Sequence, residues 1–115
     1  MAPEPRDPAY LWDMLDAARS IQEFTQGAAF EDYARSKMMR SAVERQLEIL
    51  GEAARRVSQA FKDEHPEVPW RQVVGLRNVL AHEYGDIRDE RVWQIVSGNL
   101  PTLIDHLKPL VPPRL

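Results

Sequence analysis

The chain has no cysteine, which excludes disulfides, thiolate zinc sites, iron–sulfur clusters and cysteine nucleophiles. A reducing compartment fits, and a cytoplasmic location is expected. Long apolar runs are missing too, and the N-terminus, Met1 to Pro8, is polar and proline-rich. No membrane span or secretory leader is therefore expected. The chain also lacks a positive balance, with a net charge of −3, so any affinity for nucleic acid must come from the distribution of charge. That distribution is uneven. Residues 1–34 hold two arginines against seven acids, whereas residues 35–56 hold six cations against three glutamates. The second segment reads either as a solvated helix face or as a stripe that attracts phosphate. At 115 residues, 43% hydrophobic and 29% charged, the chain suits one globular domain over 1–115, with flexible ends at 1–7 and 111–115. Much apolar surface would remain for a partner subunit to cover.

Helical periodicity dominates, and no clean two-residue alternation occurs. The expected class is all-α, an antiparallel bundle of four to five helices. Asp7-Pro8 has the chemistry of a helix start, and Leu11, Trp12, Leu15, Ala18, Ile21 and Phe24 or Thr25 form one apolar stripe before a stop at Gly27. Phe30 to Tyr33 opens a short turn ahead of a long helix from about Ser36 to Phe61. The connector His65 to Pro69 denies backbone donors. A further helix should start near Pro69 or Trp70 and end by Gly85, and Asp89 should cap the last one. Pro101 falls within the stripe of that last helix and should kink it. The structured part should end at Pro112-Pro113.

One stretch concentrates reactive side chains, Gly75 to Gly85. On a helix, Asn78 and His82 stand one above the other, and Arg77 lies about 140° round from His82. Arg77 and His82 would flank a cleft, or a second copy of the helix would complete the site. Tyr84 should be accessible. Histidine titrates near neutrality and can take a proton from a ribose hydroxyl or give one to a leaving oxygen. Arginine supplies a permanent forked charge for phosphate, and Asn78 can orient the imidazole or bind sugar. This set suits metal-independent cleavage of RNA through a 2′,3′-cyclic phosphate. Spacing alone leaves open a surface helix whose histidine merely complements the helix dipole.

Two segments, Ala42 to Arg56 and Val68 to Asn78, followed by His82, Tyr84, Val92-Trp93 and Asn99-Leu100-Pro101, resemble the HepT-like branch of the HEPN superfamily. The likeness covers Tyr10 to Leu107. Its motif of Arg, four residues, His, any residue, Tyr is met at Arg77, His82 and Tyr84, with the polar residue after Arg at Asn78. The resemblance implies a homodimeric ribonuclease toxin with a composite site. It also implies a nucleotidyltransferase antitoxin of the MntA type that transfers AMP to the tyrosine, here Tyr84. AMP there would bring phosphate charge to Arg77 and bulk to the cleft. Many relatives carry an aromatic residue after the tyrosine, where this chain has Gly85. The other functional class is a non-catalytic helical module that binds the nucleotidyltransferase or a nucleotide.

Arg40, Arg45 and Arg55 are candidate phosphate contacts, although Glu44, Glu48 and Glu52 could pair with them or with Arg56 on the helix surface; Arg45 and Glu52 lie in the family-like segment, which leaves a place at the cleft open to them. His65 and His106 lack companions at ligand spacing, so no metal or cofactor is expected. Trp12, Trp70 and Trp93 read as core or dimer contacts ahead of base stacking.

Overall fold

A computed structural model describes residues 5–113. The expectation of flexible ends at 1–7 and 111–115 thus falls partly outside the described residues. The described residues contain no strand and form eight α-helical segments. They are α1 (Asp7–Thr25), α2 (Phe30–Arg35), α3 (Lys37–Arg56), α4 (Gln59–Glu64), α5 (Trp70–Val74), α6 (Leu76–His82), α7 (Gly85–Gln94) and α8 (Leu100–Leu107). A π-helical turn, Ile95–Asn99, joins α7 to α8. The result is the expected all-α bundle.

α1 lies along α3, and their facing stripes make the centre of the core. Leu11, Leu15, Ala18 and Ile21 meet Val43, Leu47, Leu50 and Ala54, all essentially inaccessible to solvent. Of the alternatives at the end of α1, Thr25 is buried with its hydroxyl donating to the Ile21 carbonyl, while Phe24 is exposed. Gly27, at φ +75°, ends the helix. α5 and α6 cross α3, and Val92, Val96, Leu100, Leu103, Ile104 and Leu107 close the core from the C-terminal rod. Trp12, Trp70 and Trp93 all pack on this core; Trp12 Nε1 donates to the Pro112 carbonyl and Trp70 Nε1 to the His65 carbonyl.

Four local expectations need correction. α1 begins one residue early, with Arg6 at the cap position, and Asp7 is a buried residue of its first turn. Asp7 accepts hydrogen bonds from the Ser58 amide at 2.8 Å and the Ser58 hydroxyl at 2.7 Å. That contact also explains why the long helix stops at Arg56 and does not run on to Phe61. Ser58 is held in extended backbone, and its hydroxyl caps α4 by accepting from the Phe61 amide.

The single helix expected after the connector is divided at Gly75 into α5 and α6, and α6 ends at His82, ahead of Gly85 as expected. Gly85, at φ +57°, opens α7 instead, so Asp89 lies inside that helix and not at a cap. At Pro101, where a kink is expected, the backbone stays helical, and the change of pattern lies just before it, in the π-helical turn that precedes α8. Proline has no N–H to donate to the Ser97 carbonyl, and on the same turn the Ser97 hydroxyl donates to the Trp93 carbonyl.

Candidate functional site

The site is built where α3 and α5–α6 approach closely. Gly51 makes that approach possible: a Cβ there would stand 3.2 Å from the Val73 carbonyl and 3.5 Å from Arg77 Cγ. The stem of Arg77 therefore rests on α3, and its Nη1 reaches Glu52 Oε2 at 3.4 Å. Glu52 also accepts from Arg55, at 2.5 Å from Nη2, and from Arg56 Nε at 3.3 Å. Arg55 foremost, with Arg56 adding to it, holds the Glu52 carboxyl down at about 2 against its own partial desolvation.

Arg77, Asn78 and His82 all lie on α6 and are exposed. Tyr84 follows in extended backbone, 72% exposed, with Ile87 beside it at 68%. In a single chain these side chains are open to solvent along α6 and its exit, and among the described residues no hydrogen bond or ion pair joins them to one another; we call that end of α6 the corner. That corner is tied from behind. Arg88 Nη1 donates to the Leu80 carbonyl at 3.1 Å, and Nη2 approaches Glu44 Oε1 at 3.8 Å. Arg88 Nε and the hydroxyl of Tyr33 are buried without hydrogen-bond partners. Burial foremost, with the carboxylates of Glu44 and Asp89, pushes the Tyr33 phenol upward. Tyr33 packs on Trp93 with ring centroids 5.4 Å apart. Neither Tyr33 nor Arg88 stood out in the sequence, because each depends on partners far along the chain.

The three candidate phosphate contacts are dispersed. Arg55 adjoins Arg77 through Glu52. Arg45 pairs with Glu48 at 3.4 Å, farther along α3. Arg40 donates to the carbonyls of Tyr33 and Ala34 and closes the C-terminus of α2. His65 pairs with Glu67 and stacks on Phe61. Among the described residues no three His, Asp or Glu side chains converge as metal ligands. No helix among them is long and apolar enough to cross a membrane.

Fold and corner together define a small all-α protein that displays an Arg-Asn, His and Tyr set on an open face. The family model described as Ribonuclease HepT-like matches residues 14–110, and the chain belongs to that family. It is 41% identical over 95 residues to "Putative RNase MJ1380" of Methanocaldococcus jannaschii, covering 83% of this chain and 87% of the relative. It is 39% identical over 94 residues to "Probable ribonuclease HepT" of Thermococcus cleftensis, covering 82% and 86%. No solved structure matches the chain.

Proposed function

We propose that this chain is a cytoplasmic, metal-independent endoribonuclease, the toxin of a toxin–antitoxin pair. The observation that carries this reading is the exposure of Arg77, Asn78, His82 and Tyr84 at one corner of a Ribonuclease HepT-like chain. Two such corners, brought together in a homodimer, make a composite site. The 2′-oxygen of ribose attacks phosphorus as the P–O5′ bond breaks, which leaves a 2′,3′-cyclic phosphate and a free 5′-hydroxyl. One imidazole of His82 takes the 2′-hydroxyl proton and the other supplies the proton to O5′. Arg77 neutralises the phosphate oxygens as their charge grows, and Asn78 orients imidazole or sugar. A nucleotidyltransferase antitoxin silences the site by transferring AMP from ATP to the Tyr84 hydroxyl, which is open to a partner enzyme: the phenolic oxygen bonds to the α-phosphorus, pyrophosphate leaves and the phenolic proton is lost.

The test is incubation of purified protein with total RNA and with tRNA in EDTA. Cyclic-phosphate ends that vanish in His82→Ala are expected. Intact RNA at high protein concentration would instead assign the chain to the non-catalytic class. Intact-mass analysis after co-expression with a nucleotidyltransferase of the MntA type should show AMP additions that disappear in Tyr84→Phe. A strictly monomeric mass at micromolar concentration would sink the composite site.

A further inference from the structure

Beyond the corner itself, the cations on this side of the molecule form a connected series. Arg77 meets Glu52, Glu52 meets Arg55, and Lys62 Nζ donates to the Arg55 carbonyl at 3.4 Å. Lys62 also stands over the Trp70 ring, 6.0 Å from its centroid. Lys62, Trp70, Arg71 and the amides of Gln59 and Gln72 then line an open cleft of about 650 Å³, within the ~300–1,000 Å³ typical of ligand pockets. The charge here runs against the chain as a whole. Arg55, Lys62, Arg71 and Arg77 lie along this path, with Glu52 and Asp63 the acids that pair on it or line it and the buried Asp7 also near Lys62, whereas the whole chain is at −3. Asp63 is itself engaged by Gln59 at 2.8 Å.

We infer that this cleft is a subsite for single-stranded RNA, which holds the strand on one side of the scissile phosphate and delivers it along Arg55 to Arg77. The inference rests on the ribonuclease reading and adds residues that the motif does not contain. Lys62 and Arg71 take phosphates, and the glutamine amides face the bases. Lys62 is suited to the task because partial burial, and after it the nearby Arg55, disfavour its charge in the free protein. An arriving phosphate relieves that opposition. A single strand fits better than a duplex, since the cleft sets Lys62, Arg71 and two glutamines beside the apolar Pro66, Pro69 and Trp70, a mixture that accepts splayed nucleotides, whereas a duplex presents a rigid, uniformly charged surface.

The test separates binding from cleavage. In the full-length His82→Ala protein, anisotropy of a labelled single-stranded RNA is measured between about 50 and 200 mM salt. Adding Lys62→Gln and Arg71→Gln together should weaken binding about tenfold and lower the salt slope by about 1.4, at roughly 0.7 for each lost phosphate contact. Lys62→Arg should restore its half of the slope, which guards against simple misfolding. In the active protein the double substitution should raise KM and leave kcat within about twofold. Arg19→Gln, on α1, should change nothing. If His82→Ala binds RNA but the double substitution leaves both affinity and slope unchanged, the strand runs elsewhere and the subsite is refuted. If His82→Ala binds no RNA at any salt, the ribonuclease reading fails with it.

Discussion

Replacing Arg88 by methionine should release the corner that carries His82 and Tyr84. The guanidinium donates to the Leu80 carbonyl, one of the last four in α6, which have no acceptor role left within the helix itself. A hydrogen bond from a charged donor contributes about 1.5–3 kcal/mol. The pair with Glu44 is longer, at 3.8 Å and partly solvated, and adds less than about 1 kcal/mol. Methionine keeps much of the stem's packing and removes the unpartnered buried Nε, which offsets roughly 1 kcal/mol. The net loss is about 2 kcal/mol, or roughly a 30-fold rise in the opening equilibrium of the corner. Hydrogen exchange read by mass spectrometry should show the amides of residues 82–88 exchanging about 30-fold faster. Wild-type exchange there, alongside a urea melt showing the full 2 kcal/mol loss, would place the work of Arg88 in the core and refute the clamp.

Three other substitutions test the remaining supports. Asp7→Ala strands the Ser58 amide and hydroxyl and should cost about 2–4 kcal/mol in urea unfolding; a double-mutant cycle with Ser58→Ala should return a coupling of about 1–2 kcal/mol, and strict additivity would show that the contact holds nothing. Glu52→Gln should tighten RNA binding at low salt by freeing Arg77, Arg55 and Arg56. Because the folded Glu52 pKa is depressed to about 2 from 4.5, its ion pairs are fully present above about pH 4.5 and fade only as pH falls toward 2. The substitution should therefore change the level of a pH–rate profile between pH 5 and 9 without changing its shape, and a displaced limb would mean that Glu52 titrates in the working range. Gly51→Val forces branched bulk against the Val73 carbonyl and Arg77. It should cost about 1–3 kcal/mol and lower kcat/KM for RNA, and unchanged cleavage would show that the approach of α3 to α6 does not seat Arg77.

Apolar periodicity made α1, most of α3 and the C-terminal rod legible, because each buries a stripe whose spacing is a local property. What escaped were features fixed by partners far along the chain. The break after Arg56 is set by Asp7, 51 residues away, yet an acid beside a proline near the N-terminus reads locally as a cap and nothing more. Gly85 reads as a helix stop, but a left-handed residue serves equally as the first of a new helix, and only the turn from α6 into α7 decides between them. Tyr33 falls outside any long stripe and is fully buried all the same, through Trp93 sixty residues on.

The site divides in the same way. Arg77, Asn78, His82 and Tyr84 are legible because they share one helix and its exit, whereas the partner of Arg77 is legible only in part: the family-like segment puts Glu52, with Arg45, forward for the cleft, but spacing alone does not set it apart from Glu44 and Glu48. Gly51 breaks that equivalence. It lets α6 approach α3 beside Glu52, and so adds Arg77 to the two guanidiniums, Arg55 and Arg56, that reach this carboxylate from α3 itself. The free protein thus carries its own anion at one edge of Arg77, the Nη1 that reaches Glu52 at 3.4 Å, and a phosphodiester that approached by that edge would compete with a carboxylate that stays ionised at every pH above about 4.5.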